Sequence, residues 1–240
     1  MIPKIIHYCW FGGKSVPKDV IDCINSWKKY MPTYEIILWN EDNFDIESNR
    51  YVKEAYASNK FAFVADYVRL FALHHFGGIY LDTDVEVLKP LDSFLIHKAF
   101  SGFEDENLIS TAIIGSEKNG VWVKMQLDSY KNRVFIKDNG DLDTTTNVCT
   151  ITENMVREGF VLNNMHQNFN GIIDIYPKDY FSPKSYFSGK IKLTENTYTI
   201  HHFSGSWLTL TQKNKIKVRR LLGDKCFMFL SRIKNTIKKM

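Results

Sequence analysis

Apolar and polar positions change period several times along this chain, and each change marks an element. Lys4 to Cys9 is a short apolar run closed by Phe11-Gly12-Gly13, which predicts a buried strand. From Val16 to Tyr30, Val20, Ile21, Ile24 and Trp27 fall on one side of a helix, until Pro32 stops it. Tyr34 to Trp39 predicts a second strand, ending in the polar group Asn40-Glu41-Asp42-Asn43. A strand, a helix and a strand in this short span form a βα unit of a nucleotide-binding α/β fold.

The pattern then predicts a helix over Arg50 to Ser58 and a long one over Lys60 to Phe76. The second is rich in apolar residues and is closed by Gly77-Gly78 as a C-cap. Ile79 to Leu88 follows as a strand, ended by Pro90. Ala99 to Gly115 holds one or two further strands, Gly120 to Tyr130 and Ile151 to Glu158 are helical, and Asp138 to Thr146 is a polar loop. Ile172 to Tyr176 and Thr197 to Phe203 are late strands. With no repeat and no Pro/Gly/Ser linker, the expectation is one α/β domain over residues 1–212 and a tail over 213–240.

Charge sharpens the division. The net charge is +4, but residues 213–240 hold ten Lys or Arg and only Asp224 as an acid, which puts +9 on the tail and −5 on the rest. An acidic domain offers no broad basic face, so nucleic acid is not an expected partner. In the tail Val218, Leu222, Cys226, Phe229, Ile233 and Ile237 form an apolar stripe, broken at Gly223-Asp224, with Lys and Arg on the other faces. That pattern suits either a helical hairpin packed on the domain or an interfacial helix on an anionic inner leaflet. No two of Cys9, Cys23, Cys149 and Cys226 stand at CxxC spacing, so free thiols and a reducing compartment are expected. The N-terminal apolar run is too short and too aromatic for a secretory leader, and no run approaches the roughly eighteen residues of a membrane span. The expected location is cytoplasmic, at the inner face of the membrane.

The candidate chemistry sits at four places. Strand alternation over Ile79 to Leu88 puts Asp82 and Asp84 on one face, where two carboxylates repel unless a cation joins them. Oxygen-ligated Mg²⁺ or Mn²⁺ suits such a pair. A bare DxD is more often a solvated strand edge, but the apolar neighbours Ile79, Leu81, Val85 and Val87 make unpaired acids costly here. Asp66 and Arg69 lie three apart on the preceding helix and share a face, either as a structural ion pair or as a polar pair projecting into the same site. His201 and His202 offer imidazole to a metal, and Trp207 an indole N–H, against a plain core reading. Trp10, at the exit of the first strand, could stack on a base or simply pack.

The segments HYCWFGG, FVADYVR, GGIYLDTDVEVLKPL and HHFSGSW, in that order over residues 2–207, resemble the DxD-sugar-binding glycosyltransferases of the family-32 type. That group includes bacterial capsular-polysaccharide enzymes and yeast-type mannosyltransferases and, more distantly, the large clostridial glucosylating toxins. The resemblance implies a GT-A fold with a mixed central sheet flanked by helices, Mn²⁺ or Mg²⁺, and transfer with retention. It implies a nucleotide-sugar donor, a UDP-sugar first, giving a hexose or N-acetylhexosamine to a glycan acceptor in capsular or surface polysaccharide synthesis. A lipid-linked acceptor would agree with the tail. By the same likeness Trp10 stacks on the base, and Asn40 and Asp42 lie near base or ribose. Asp66 and Arg69 hold the donor sugar, and Asp82 touches ribose and sugar. Asp84 ligates the metal beside Asp82, His202 or its neighbour His201 completes the metal site, and Ser206 and Trp207 close over the diphosphate. Ala65 departs from relatives that often carry Ser there, with the Asp–Arg spacing kept.

Two other classes compete. LDTD after an apolar strand also resembles the nucleophile–acid pair of haloacid-dehalogenase-type phosphatases, which carry it on their first strand. A non-catalytic glycan- or membrane-binding module would carry a decayed site, and the intact Asp66, Arg69 and DxD argue against that.

Overall fold

A computed structural model describes residues 1–205 together with Thr211 and Asn214. The tail expectation, Ser206 and Trp207 therefore lie outside the described residues.

The predicted first unit is present as β1 (Ile5–Cys9), α1 (Lys18–Tyr30) and β2 (Glu35–Trp39), with β1 and β2 parallel and Ile6 opposite Ile36. Helix α2 (Arg50–Ala57), begun by the Asn49 side chain on the Val52 amide, leads into α3 (Phe61–Phe76). The predicted strand Ile79 to Leu88 is instead two strands. β3 (Gly78–Leu81) joins the main sheet, whereas β4 (Val85–Val87) pairs with β9 (Thr199–His201) in a separate ribbon. Between them the chain turns, with the Val85 amide donating to the Asp82 carbonyl at 3.0 Å. Apolar alternation continues across this turn because Val85 and Val87 bury against α1: the Trp27 indole donates to the Val85 carbonyl at 2.7 Å, and the Ser26 hydroxyl accepts the Val87 amide.

Strands β5 (Ala99–Gly102) and β6 (Ile113–Ser116), helices α4 (Val121–Asp128) and α5 (Asn147–Arg157), strands β7 (Gln167–Phe169) and β8 (Ile173–Tyr176) and the short α6 (Lys178–Phe181) complete the fold. Among the described residues the main sheet has seven strands in the order β2-β1-β3-β6-β5-β8-β7, with β6 and β7 antiparallel to their neighbours. It is therefore a mixed sheet. Alternation splits it into two apolar faces: Ile79, Leu81 and Ile113 pack with α1 and the ribbon, and Tyr80 and Ile114 pack with α2 to α5.

Helix α3 buries most of its surface, the polar Asp66 and Arg69 included, so its apolar residues are not confined to one stripe. It ends at Gly77 (φ +68), whose amide bonds the Leu73 carbonyl, and Gly78 (φ +109) starts β3 at once. Buried His7 locks this junction. The Trp39 indole donates to Nδ1 of His7, so the proton sits on Nε2 and goes to the Gly77 carbonyl at 2.7 Å. Burial lowers the pKa of His7 and keeps the ring neutral. A Cβ on Gly78 would stand 2.6 Å from the Ile5 carbonyl oxygen. Gly78→Ala is expected to lower stability by about 2 kcal/mol or more, read from the denaturant midpoint. An unchanged midpoint would show that the β1–β3 approach is looser than described.

The main-sheet strands that run parallel deliver their C-terminal ends to one edge. Trp10 follows β1, Asn40 follows β2, Asp82 follows β3, and Glu104 lies two residues beyond β5. In open α/β sheets this edge is where ligands bind.

Candidate active site

The turn after β3 holds the centre. The Asp82 amide is fixed by the Ala112 carbonyl at 2.8 Å, and the Asp84 carbonyl accepts the His202 amide at 2.9 Å. Phe203 takes a left-handed φ of +54, rare for a side chain of that size, and this turn brings the Ser204 amide to Oδ2 of Asp84 at 2.7 Å. Strand β9 carries His201 opposite Val85, and its Nε2 lies 3.4 Å from Oδ1 of Asp84. Asp82, Asp84 and His201 offer three ligand atoms that all lie within 4.8 Å of one another.

Electrostatics mark the same point. Burial alone would raise the Asp84 carboxyl, but His201 and the Ser204 amide hold it well below the usual carboxylate range. Burial opposes a charged His201, yet Asp84, with Glu104 and Asp82 adding to it, pushes the ring up to about 9. A single imidazolium thus answers several carboxylates, as a metal cation would. Two carboxylates and an imidazole suit Mn²⁺ well, and Mg²⁺ through the oxygens. The residues fit the divalent cation that the DxD motif implies.

Of the two histidines expected near the metal, His201 belongs to this group and His202 lies outside it. Adjacent strand residues face opposite ways, and the His202 ring turns out to Glu86, with 2.9 Å between Nε2 and Oε2. Together with Asp19 and Asp22 of α1, and with Asp84 itself, it lines a cleft of about 260 Å³. His201→Ala is accordingly expected to weaken Mn²⁺ binding about tenfold or more, and His202→Ala far less, measured by calorimetry. The opposite ranking would return the ligand role to His202.

Asp66 and Arg69 are brought to the centre from α3. The Arg69 side chain is only 5% exposed, and its Nη2 lies 3.0 Å from Oδ1 of Asp66 and 3.3 Å from Oδ1 of Asp82. Its Nη1 donates to the Thr111 carbonyl at 2.7 Å and its Nε to the Ala65 carbonyl, while the guanidinium lies over the Tyr80 ring. The Tyr80 hydroxyl donates to the same Asp82 oxygen at 2.9 Å. Arg69 is therefore a buried bridge that aims Asp82. Asp66 is tied to the start of α5, where the Asn147 amide donates to its Oδ2 and the Asn147 side chain to its carbonyl. Burial raises the Asp66 carboxyl to about 6 even against the pull of Arg69. Sequence reasoning missed Asn147, since nothing in a polar loop end distinguishes it.

The three remaining expected residues lie at the same sheet edge without touching this cluster. The half-buried Trp10 donates its indole N–H to the Lys14 carbonyl at 2.7 Å. Asn40 and Asp42 bond each other, Asn40 Nδ2 to Asp42 Oδ2 at 3.1 Å and the Asp42 amide to Asn40 Oδ1 at 3.0 Å. Beside them Glu41, which the sequence did not single out, accepts both the Gly12 amide and the Tyr56 hydroxyl, and so joins the loops after β1 and β2. Ser206 and Trp207 lie outside the described residues.

The mixed sheet flanked by helices has the fold of GT-A glycosyltransferases. The DxD follows the third strand rather than the first, unlike the phosphatase arrangement. Residues 17–101 match the glycosyltransferase sugar-binding region containing DXD motif. It is 32% identical over 121 residues to inositol phosphoceramide mannosyltransferase 3 of Schizosaccharomyces pombe, a match covering 49% of this chain and 34% of the relative. The chain thus spans about a third of the length of that relative. Among solved structures, the PaToxG glycosyltransferase superposes with a TM-score of 0.52 at 18% identity, over 66% of this chain and 69% of that one. A glycosyltransferase involved in the glycosylation of the major capsid of PBCV-1 gives 0.50 at 10% identity, over 85% and 95%. At these identities the two structures speak for the fold.

Proposed function

We propose that this protein transfers a hexosyl or N-acetylhexosaminyl group from a nucleotide-sugar to a glycan acceptor, with retention of configuration and with Mn²⁺ or Mg²⁺ required. The observation that carries this reading is the convergence of Asp82, Asp84 and His201 at the ligand-binding edge of the sheet. When bound there, the cation neutralises charge that develops on the leaving diphosphate. Asp84 and His201 would hold it, and the Asp66–Arg69 bridge would keep Asp82 turned toward it. The family resemblance adds the other roles: Trp10 against the base with Asn40 and Asp42 near it, Asp66 and Arg69 toward the donor sugar, and Ser206 and Trp207 as donors to the diphosphate. The bond from the anomeric carbon to the phosphate oxygen breaks, the acceptor oxygen attacks from the same side, and its proton passes to the diphosphate.

The resemblance to capsule enzymes favours a UDP-sugar, in capsular or surface polysaccharide synthesis. The mannosyltransferase names of the fungal relatives favour a mannosyl donor, which makes that the second reading. A hydrolysis screen of UDP-Gal, UDP-Glc, UDP-GlcNAc, UDP-GalNAc and GDP-Man, with Mn²⁺ and with EDTA, separates the two. Consumption of one donor, only with metal, is the expected result. Consumption of none would leave the non-catalytic module as the better reading.

The basic tail supports a cytoplasmic, peripheral membrane location, where the site would meet a lipid-linked acceptor. Each Lys or Arg near an anionic surface contributes about 1 kcal/mol, so ten of them in residues 213–240 suffice for reversible attachment. Among the described residues no helix is long and apolar enough to cross a membrane. The full chain should co-sediment with anionic vesicles at low salt and a chain ending at Gln212 should not. Equal recovery of both would remove the tail from this role.

A further inference from the structure

One buried polar atom at the centre has no hydrogen-bond partner. Nδ1 of His201 is buried and has no hydrogen-bond partner among the described residues, although Nε2 of the same ring faces Asp84. Among the described residues the charged group within 4 Å of Nδ1 is the carboxylate of Glu104, with Oε2 at 3.8 Å. Among the described residues His201 is the only charged partner within 4 Å of Glu104.

Glu104 is well placed to hold that position. It follows Phe103, whose amide is fixed by the Tyr176 carbonyl, and its own amide donates to the Leu108 carbonyl at 2.8 Å. Phe103 and Ile109 pair across the base of this turn, and the Ile109 amide donates to the Thr152 hydroxyl at 2.9 Å. The loop is thus anchored to β8 and α5, and the Glu104 side chain, 17% exposed, points back to the DxD turn. A carboxylate carried this deep is costly unless it is paired, and His201 is the ring it faces.

We propose that Glu104 is the positioning residue of the metal centre, accepting the Nδ1 proton of His201 so that Nε2 is left free for the cation. This rests on the metal reading of Asp82, Asp84 and His201. A metal-binding imidazole must present one nitrogen without a proton, and the bond made by the other nitrogen decides which. A carboxylate behind the ring selects that tautomer, fixes the ring's orientation and makes the ligating nitrogen more basic. Two carboxylates on opposite nitrogens of one ring give Glu104 and Asp84 separate tasks. Glu104 faces the ring from behind, and Asp84 shares the ligand cluster with Nε2.

The test is Mn²⁺ binding to the full chain without donor, read as free Mn²⁺ by electron paramagnetic resonance, for wild type, Asp84→Ala, Glu104→Ala and Glu104→Gln. Removal of such an outer partner typically weakens metal binding about 10–100-fold, and that loss is expected for Glu104→Ala with an unchanged melting temperature in EDTA. Glu104→Gln keeps an oxygen that accepts the Nδ1 proton and should recover much of the affinity. Wild-type binding that is lost in Asp84→Ala but unchanged in Glu104→Ala would overturn the role of Glu104 and leave the metal centre standing. A wild type that takes up no Mn²⁺ would overturn the centre and this role with it. A second measurement needs no variant: ¹⁵N spectra of the histidine rings in the Mg²⁺- or Zn²⁺-loaded wild type should show His201 protonated at Nδ1. A proton at Nε2 in the loaded protein would refute the proposal.

Discussion

Asp84→Ala is expected to abolish sugar transfer, by about 10³-fold or more, while leaving the fold intact. Metal-ion stabilisation of developing charge is worth several kcal/mol, and each 1.36 kcal/mol is tenfold in rate. Asp84 sits where every element of the centre meets. Its carbonyl holds the His202 amide, its carboxylate holds the Ser204 amide, and its Oδ1 faces His201. The backbone contact survives the substitution, so the β4–β9 ribbon should remain paired. Turnover of the donor with Mn²⁺ and circular dichroism check the two halves of the claim. Near-normal turnover in saturating Mn²⁺ would remove Asp84 from the metal site.

Replacing Arg69 carries the largest expected cost in stability. Arg69→Met keeps much of the length and apolar bulk of the side chain but leaves Asp66 and Asp82 without the cation between them. Breaking a buried charge pair by removing one partner costs about 3–5 kcal/mol. For a domain of this size that lowers the melting temperature by roughly 10 °C. The Thr111 carbonyl would also lose its donor. Transfer should fall as well, because Asp82 loses two of the contacts that aim it when the guanidinium and its hold on the Tyr80 ring go together. Mn²⁺ should restore part of the lost stability, since it supplies positive charge beside Asp82. A variant that melts like wild type would mean that Arg69 serves the substrate and not the scaffold.

How far the sequence reached depends on what kind of signal each feature leaves. Apolar periodicity located β1, α1, β2 and α3 to within a residue or two, because each buries a continuous face. It failed at Ile79 to Leu88, where Val85 and Val87 keep the alternation of β3 while packing on Trp27 in a different layer. The expectation that Asp82 and Asp84 converge held, but a turn achieves it and not strand alternation. Polar Gln167–Phe169 has no alternating apolar pattern to mark it as a strand. Yet Asn170 and Gly171, both at positive φ, join it to β8, and Asn-Gly is a strong hairpin signal. Glu104 was legible in principle, as an acid just past a strand in the run GFEDEN, at the edge where the other site residues were placed. The choice between His201 and His202 was not legible. It depends on the register of β9 against β4, which pairs His201 with Val85, and no local pattern sets that register.

The central claim is that Asp82, Asp84 and His201 hold a cation through which the donor's diphosphate binds. Calorimetric titration of UDP and of GDP into the full chain, once with Mn²⁺ and once with EDTA, tests it most directly. One nucleotide should bind with Mn²⁺, and its affinity should fall at least about tenfold in EDTA, the loss a coordinated phosphate implies. The same affinity in both buffers would contradict it.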